Sequence, residues 1–329
     1  MKITIRTIAE LAGVSPSTVS LVLNGKGNVS GAKRRKIENL IAQTGYRPSI
    51  SSRRLSSKRS FNICVAPNAN ASPFTDLFFL SLTRGVHKEA IEHGYNVVLS
   101  DFSEGLPNTI LNDDADGIIF FQDLEQQEFE QMRDMRVPFV VADSHVYAAP
   151  YATVGMDNEL ISKRAVSYLL DMRHRDIAFL GPIDRPNLFN SCLQGYHSAF
   201  RERGLLPPSD RIIRSVNAQE HASEAVTAYM ETHTAPTALF CSGDRFAVGA
   251  LLRFQEMGLR IPDDISIISI DDTLLCQYVR PKLTAMHIDA ERIGICAMQL
   301  LEKLIAGCPV ENIILPETSM SVRDSVREL

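Results

Sequence analysis

Several features of membrane, secreted and metal-binding proteins are missing from this sequence of 329 residues. No run of about 18 apolar residues occurs, so no segment is predicted to span a membrane. The N-terminus has no apolar stretch followed by a small-residue cleavage site, which predicts a cytoplasmic protein. The six cysteines are scattered without C-x-x-C spacing, which predicts reduced thiols that are buried as small apolar side chains.

Motifs that carry catalysis are missing as well. The sequence contains no G-x-S-x-G, G-x-x-x-x-G-K-[ST], G-x-G-x-x-G or H-E-x-x-H. The histidines of HKEAIEH (87–93) are six residues apart, roughly 240° around a helix, so they cannot share one ion. A recombinase would need a Ser or Tyr nucleophile among clustered arginines, and there is none. We therefore predict neither an enzyme, nor a cofactor, nor a metal site.

Charge is distributed unevenly along the chain. Residues 1–60 hold 12 Lys and Arg but 2 Asp and Glu, whereas residues 61–329 hold 22 and 37. A basic N-terminal region on an acidic body is typical of a DNA-binding module attached to a part that does not bind DNA. A periplasmic sugar-binding protein would account for neither the basic region nor the missing signal peptide.

The first 24 residues have the pattern of a helix-turn-helix. Thr4 is placed to cap a first helix, and Gly13 stands at the turn, where positive φ lets two helices cross closely. Ser15 is placed to cap a second helix with Pro16 at its first position, where the missing N–H costs nothing. The buried faces are predicted to hold Ile5, Ile8, Ala9 and Leu11–Ala12 on the first helix and Val19, Val22 and Leu23 on the second.

The second helix is predicted to contact bases and the third to contact phosphates. The side chains left partly free on the second helix are Pro16, Ser17, Thr18, Ser20 and Leu21. A third helix is expected from about Ser30 to Thr44, with Gly45 as its stop. Its exposed face carries Lys33, Arg34, Arg35 and Lys36.

The segment after Pro48, SISSRRLSSKRS, has six Ser and four basic residues. It has too little apolar surface to order itself in water. One interpretation is a flexible linker. The other is a short hinge helix that forms only on DNA, with Leu55 as a wedge between base pairs.

From Phe61 onward, short apolar runs alternate with amphipathic stretches. Continuous Ile, Val and Phe runs covered by helices predict parallel sheets buried on both faces, and the repeat is too frequent for one sheet. The predicted strands are Ile63–Ala66, Asn96–Ser100, Gly117–Phe121, Phe139–Ala142, Ile177–Leu180, Ala238–Cys241 and Ile265–Ile270. The predicted helices are Leu80–His93, Leu160–Met172, Tyr196–Arg203, Ala222–Thr232, Arg245–Met257 and Ile293–Ile305.

These motifs closely resemble the lactose-repressor/purine-repressor (LacI/GalR) family of bacterial transcription regulators over nearly the whole chain. The opening ITIRTIAELAGVSPSTVSLVLNGKGNVS carries the family signature. Later matches, in family order, are FFLSLTRGV (78–86), ADGIIF (115–120), PFVVAD (138–143), VGMDN (154–158), FCSGDRFAVGAL (240–251), IPDDISIISIDD (261–272) and RDS (323–325).

The resemblance implies an all-α helix-turn-helix headpiece and an α/β core of two parallel-sheet lobes, like periplasmic binding proteins. The expected DNA-binding domain is residues 1–48 and the hinge 49–60. The core, 61–329, is expected to have a first lobe of about 61–157 and 289–319 and a second of about 158–287 and 320–329. Three crossovers should join the lobes, near 157–159, 286–289 and 319–321. Such proteins bind double-stranded operator DNA as homodimers, and the missing C-terminal heptad tail favours a dimer over a tetramer.

The resemblance also implies which residues bind. For DNA these are Thr4, Thr7, Ser15, Pro16, Ser17, Thr18, Ser20, Leu21, Asn24, Asn28, Ser30, Arg53 and Leu55, with Arg54, Lys58 and Arg59 adding attraction to phosphates. For a small-molecule effector in the cleft between the lobes they are Phe78, Phe79, Asp143, Ser144, Arg185, Cys192, Ser242, Asp244 and Asp271. An alternative for Asp143 and Asp271 is that they cap the following turns.

The sequence departs from the family at three places. Leu21 stands where Arg or His is common; it cannot form the paired hydrogen bonds that read guanine, so we expect an A·T pair opposite it. Cys192 stands where relatives carry an Arg, which removes a bidentate donor from the expected pocket. The stretch 103–113 is shorter than the helix that relatives carry there, so the shape of the first lobe's cleft side differs.

The sequence thus indicates an effector-controlled repressor whose ligand is a sugar or related metabolite. The alternative is a DNA-binding regulator controlled by a protein partner or without a small-molecule effector. Whether the effector induces or co-represses is not encoded in the residues themselves.

Overall fold

The computed structural model describes residues 3–23, 27, 29–46, 59–67, 75–100, 114–124, 126–135, 137–146, 149–216, 219–315 and 319–329. The chain divides into two compact units, Met1–Phe61 and Asn62–Leu329. No helix in the described ranges is long and apolar enough to cross a lipid bilayer.

The N-terminal unit holds three helices, α1 (Ile5–Ala12), α2 (Pro16–Leu23) and α3 (Gly31–Thr44). The Thr4 side chain accepts a hydrogen bond from the backbone of Thr7, and Gly13 ends α1 at φ 71°. Gly45 ends α3 in the same left-handed conformation, at φ 63°. The buried core is small and consists of Ile8, Ala9, Ala12, Val19, Val22, Ile37 and Tyr46.

One prediction for this unit is wrong. Leu11 was expected on the buried face of α1, but it is 53% exposed. The face that packs is formed by Ile8, Ala9 and Ala12, and at 100° per residue Leu11 lies roughly 110° from the middle of that face.

The second unit contains two six-stranded sheets, as the resemblance implied. In the first sheet the strand order is β11-β5-β4-β3-β1-β2, and all five pairings are parallel. Its strands are β1 (Asn62–Pro67), β2 (Asn96–Leu99), β3 (Gly117–Phe121), β4 (Phe139–Ser144), β5 (Ala152–Met156) and β11 (Ile313–Leu315). The helices with this sheet are α4 (Leu77–Glu92), α5 (Gln126–Met135) and α11 (Ala290–Ile305).

The second sheet has the same architecture, with the order β12-β10-β9-β8-β6-β7. Its strands are β6 (Ile177–Pro182), β7 (Ile212–Ser215), β8 (Ala238–Cys241), β9 (Ser266–Asp271), β10 (Thr284–His287) and β12 (Ser319–Ser321). Its helices are α6 (Asn158–Asp171), α7 (Pro186–Glu202), α8 (Gln219–Thr232), α9 (Asp244–Glu256) and α10 (Leu275–Tyr278). This sheet is parallel as predicted except at one edge, where β12 runs antiparallel to β10.

The chain passes between the two sheets three times. It does so after β5 ends at Met156, after β10 ends at His287 and between Leu315 and Ser319. The two lobes are therefore joined by short connections and not by a shared sheet.

The predicted elements are present, with shifted ends and omissions. The helix expected at Tyr196–Arg203 begins ten residues earlier, with Pro186 at its first position. Five strands of three to five residues were not predicted. These are Ala152–Met156, Ile212–Ser215, Thr284–His287, Ile313–Leu315 and Ser319–Ser321; the helices Gln126–Met135 and Leu275–Tyr278 were missed as well.

Two glycines allow helices α4 and α11 to cross at close range. A Cβ on Gly85 would collide with the backbone carbonyl of Glu291, and a Cβ on Gly294 would collide with that of Leu82. Since the obstacles are backbone atoms and not flexible side chains, neither position accepts a larger residue without moving a helix.

Candidate functional site

The first candidate surface is the exposed side of helix α2. Pro16, Ser17 and Leu21 are exposed, and Thr18 and Ser20 are half-buried. Val19 and Val22 point into the core of the unit instead. A helix anchored by one apolar stripe and exposing small polar and apolar groups on the other side has the form needed to enter a major groove.

Hydroxyl groups cluster where this helix begins. The Ser15 hydroxyl lies 2.7 Å from that of Ser17 and 2.9 Å from that of Thr18, and the Thr18 N–H donates to it at 3.3 Å. Ser15 therefore caps α2 as predicted. Thr4 and Thr7 form the corresponding cap of α1, with their hydroxyls 3.1 Å apart.

Basic residues extend this surface. Lys33, Arg35 and Lys36 are exposed on α3, whereas Arg34 is half-buried, and Ser30 is exposed just before the helix. Four of the residues predicted to bind DNA, together with two flanking basic residues, lie outside the described part of the structure: Asn24, Asn28, Arg53, Leu55, Arg54 and Lys58.

The second candidate site is a cavity between the two lobes. Its walls are the carboxyl ends of β3, β4, β8 and β9 together with the first residues of helices α4, α7 and α9. Ligands of open parallel sheets bind at this end of the strands.

Three residues at these strand ends adopt unusual backbone conformations. Gln122, Asp143 and Asp271 have φ values of 73°, 58° and 104°, which non-glycine residues adopt only at a cost. All three line the cavity. Such conformations persist where the surrounding fold imposes them, and they concentrate at ligand sites.

Asp143 faces the cavity beside a buried histidine. Its Oδ1 lies 3.9 Å from Nε2 of His145, and the His145 side chain is 5% exposed. Burial raises the pKa of Asp143 to about 6, although the charges of His145 and Arg185 act in the opposite direction. Burial would lower the pKa of His145, but the nearby carboxyl groups of Asp143 and Asp123 raise it above its ordinary value. Among the described residues, no hydrogen bond lets Asp143 cap the following turn.

Two neighbouring carboxyl groups, those of Asp244 and Asp271, lie on the opposite lobe. Asp244 accepts hydrogen bonds from the Ser269 hydroxyl and the Thr273 N–H, both at 2.6 Å, and its own N–H donates to Asp271 Oδ2 at 3.4 Å. Burial raises the pKa of Asp244, and those hydrogen bonds only partly offset it. Burial, with repulsion from Asp244 and Asp143, raises the pKa of Asp271 well above its ordinary value. Asp244 thus fixes the loop, and Asp271 faces the cavity.

The cavity also presents donors that have no partner. Within the described ranges, the guanidinium of Arg185 makes no hydrogen bond and no ion pair. Burial lowers the pKa of Arg185 even though Asp143 and Asp76 act to raise it. Nε2 of Gln122 is buried with no hydrogen-bond partner in the same ranges. A ligand that offered acceptors here would satisfy groups that are costly to leave unpaired.

Six of the nine residues that the sequence assigned to the effector line the cavity: Phe78, Asp143, Arg185, Ser242, Asp244 and Asp271. The other three do not. Phe79 is fully buried behind it, with its ring 5.1 Å from that of Phe121, and the Ser144 hydroxyl donates to Asp123 at 2.8 Å. Cys192 is fully buried, and burial raises its pKa to about 12, so its thiol stays neutral and inert.

Several lining residues were not predicted, among them Asp76, Gln122, His145 and Arg245. Gln122 and His145 directly follow strands that the sequence did predict, and that position was the available signal. Asp76 caps α4 by accepting hydrogen bonds from Phe78 and Phe79. Asp76 lines the cavity because helix α4 begins there and Asp76 is the residue that caps it.

The comparisons with known proteins agree with this architecture. Residues 4–49 match the bacterial regulatory proteins of the lacI family, and residues 166–326 match a periplasmic binding protein-like domain. Catabolite control protein A of Priestia megaterium is 32% identical over 96% of this chain and 96% of its own length. The HTH-type transcriptional repressor CytR of Escherichia coli (strain K12) is 30% identical over 99% of this chain and 97% of its own length.

Solved structures share the fold at lower identity. The lac repressor dimer bound to operator and the anti-inducer ONPF has a TM-score of 0.79 at 24% identity, covering 99% of this chain and 100% of that chain. The complex of the transcriptional regulator CelR with cellobiose has a TM-score of 0.73 at 23% identity, covering 98% and 99%. A three-helix DNA-binding head and a two-lobed core with a cavity between its sheets define a transcription regulator. The chain belongs to the lacI family of bacterial regulatory proteins.

Proposed function

We propose that this protein is a sequence-specific DNA-binding repressor whose hold on its operator is controlled by a small molecule in the cavity between the lobes. The observation that carries the proposal is the set of polar groups that face the cavity: the carboxyl groups of Asp143 and Asp271 and, without a hydrogen bond among the described residues, the guanidinium of Arg185 and Nε2 of Gln122. Aromatic walls at Phe78 and Phe121, with ring centroids 6.2 Å apart, suit the apolar face of a sugar or a nucleoside.

The DNA contacts that we propose lie on the head, residues 1–48. Pro16, Ser17 and Leu21 read bases. Phosphates or bases are also reached by Thr18, Ser20, Asn24 and Asn28, and Thr4, Thr7, Ser15 and Ser30 complete the contacts at the helix ends. Residues 49–60 then form the hinge, in which Arg53 contacts the DNA and Leu55 inserts between base pairs. Unstacking a step costs a few kcal/mol, recovered through the wider contact that bent DNA allows.

The division of the core into lobes of about 61–157 with 289–319 and 158–287 with 320–329 is part of the same proposal. So is the homodimer, because a near-palindromic operator needs two heads. A chain with this role acts in the cytoplasm, on the chromosome. It performs no catalysis, and its signal is a shift in the population of lobe arrangements.

The test combines thermal shift with operator binding. Sugars and nucleosides are screened against the purified chain, since a ligand at 100 times its dissociation constant adds about 2.7 kcal/mol of stability. A hit should change operator affinity at least fivefold. The Arg185→Ala variant should lose most of the ligand effect and keep operator binding, whereas Arg201→Ala, an arginine on the same helix but outside the cavity, should keep both.

Two results would overturn parts of this proposal separately. If the protein prefers no genomic duplex over random competitor, at low salt and with ligands present, the DNA-binding function is wrong. If it binds an operator but no small molecule stabilises it, control by a protein partner replaces control by an effector.

A further inference from the structure

One carboxylate in the second unit touches both lobes. Asp123 follows the last strand residues of β3 in the first lobe. Its Oδ1 accepts hydrogen bonds from the Ser144 hydroxyl at 2.8 Å and the His145 N–H at 2.9 Å. Its Oδ2 accepts one from the side-chain amide of Asn187 at 3.2 Å. Asn187 lies on α7, which belongs to the second lobe, so this last bond spans the space between them.

The same carboxylate is connected to the wall of the cavity. His145 stands between two acidic side chains, with Nδ1 3.5 Å from Asp123 Oδ2 and Nε2 3.9 Å from Asp143 Oδ1. Burial alone would raise the pKa of Asp123, but hydrogen bonding to His145 and the charge of that ring outweigh it and lower the pKa. Asp123 is therefore held as an anion, the form that accepts hydrogen bonds best.

The second-lobe partner has a matching position. Asn187 is two residues from Arg185, and both stand at the beginning of α7. Arg185 faces the cavity, while Asn187 reaches across to Asp123. A movement of this helix that accommodates a ligand at Arg185 must therefore change the distance between Asn187 and Asp123.

We propose that Asp123 and Asn187 form a latch between the lobes, and that they act as positioning residues which link lobe closure to the placement of His145 and Asp143. The proposal rests on the effector site described above and names a means of its control. The two residues belong to different lobes. A change in the angle between the lobes therefore changes the distance between Asn187 and Asp123 and can break or form this hydrogen bond. An exposed hydrogen bond to a charged group is weakened by water, and we expect it to shift this equilibrium about three- to tenfold.

The experiment measures the distance between lobes directly, on the full chain without ligand. Cys308 is the one exposed cysteine among the six, and the other five are buried, so it takes a nitroxide label on the first lobe as it stands. Leu206, 91% exposed in the second lobe, is changed to cysteine for the second label. Pulsed electron paramagnetic resonance then gives the distribution of distances between the labels.

In this labelled background, Asn187→Ala and Asp123→Asn should broaden or lengthen the distribution. Asn187→Asp should do so more strongly, because it sets two carboxylates against each other. The swapped double variant, Asp123→Asn with Asn187→Asp, restores a carboxylate–amide pair and should bring the distribution back towards that of the parent. The matched control is Asn190→Ala, an exposed asparagine one turn further along the same helix, which should change nothing.

Identical distributions in the parent and in Asn187→Asp would overturn the latch. So would a double variant that is as open as its more open single parent. Because no ligand is present, these outcomes are independent of whether a small molecule controls DNA binding. A second measurement, operator affinity of each variant without ligand, should then differ from the parent three- to tenfold for the opened variants and not for Asn190→Ala.

Discussion

The head and the cavity are built in opposite ways. The side of α2 that we propose reads bases comes from eight consecutive residues, Pro16–Leu23, and it is in place once a short helix has docked on its neighbours. The cavity collects side chains from positions as far apart as Asp76 and Ile288, and only the strand order of two sheets brings them together. The exposed side of α2 is therefore determined by residues that are adjacent in the sequence, whereas the cavity is determined by the topology of the two sheets.

The two regions also differ in what they cost. The head has few core residues, so each one carries a large share of its stability. The cavity draws on a large core and holds left-handed backbone at Gln122, Asp143 and Asp271 together with buried carboxyl groups. Sites of this kind are maintained by the surrounding fold at the expense of stability. Mutations should therefore break the head through its core and the cavity through its chemistry.

The largest effect is expected from Val19→Asp. Val19 is fully buried in the core of the head, and an unpaired charge there costs several kcal/mol, enough to unfold so small a unit. DNA binding should fall at least 100-fold. Limited proteolysis of the full chain should digest the head and leave a resistant core whose thermal transition matches that of the parent.

Leu11→Asp is the control for this change, because Leu11 is 53% exposed on the neighbouring helix. Circular dichroism and proteolysis should show a head as resistant as the parent's. If the core's transition drops together with the head in Val19→Asp, the two units do not fold separately and the contrast drawn here is wrong.

The second effect is a gain in stability from Asp143→Asn. The folded pKa of Asp143 is about 6, above the ordinary 3.8, so the folded state holds this proton more tightly than the unfolded state does. Ionisation of Asp143 therefore destabilises the folded state. The loss of stability begins near pH 4, grows until about pH 6 and is constant above that pH. The variant should be more stable than the parent at pH 7.5 by up to about 3 kcal/mol, and equal to it near pH 4.

Thermal unfolding across pH 4 to 8 measures this difference. The gain in stability falls short of its upper limit because the substitution also removes an anionic neighbour from His145 and Arg185. Asp134→Asn, at a side chain that is 74% exposed, should leave the pH profile unchanged. A variant less stable than the parent at pH 7.5 would mean that the ionised Asp143 carboxylate stabilises the fold, contrary to this prediction.

These contrasts explain how far the sequence could be read. Thr4, Gly13, Ser15 and Gly45 are capping and turn signals that act within a few residues, and each has the predicted role. The missed strands are held by pairing with neighbouring strands of their sheets, and those partners are not adjacent in the sequence.

The cavity was predictable where a residue ends a recognisable strand. Asp143 and Asp271 are of this kind, although it was family position that supplied them, as it supplied Phe78, Arg185, Ser242 and Asp244. Side-chain direction was not predictable. Phe79 and Cys192 turn inwards, and Ser144 turns to Asp123. Asn187 was out of reach for the same reason, since its partner is set by the approach of two lobes and by nothing adjacent in the chain.

The smallest effect is expected at Leu21, and it concerns specificity. Leu21 is 42% exposed on α2, and its side chain packs close to Gly27, so that a Cβ there would come within 3.1 Å of it. A leucine held in this way can contact a thymine methyl group but cannot pair with guanine. Selection from random duplexes should return an A·T pair opposite it, and Leu21→Ala should lower affinity for that operator about three- to tenfold while relaxing the preference at that base pair alone. Leu11→Ala, an exposed leucine on α1, should leave the selected sequence as it was. An invariant G·C pair opposite Leu21 in the parent's selected operators would show that another side chain reads this position. The local sequence of α2 would then predict the helix but not its base preference.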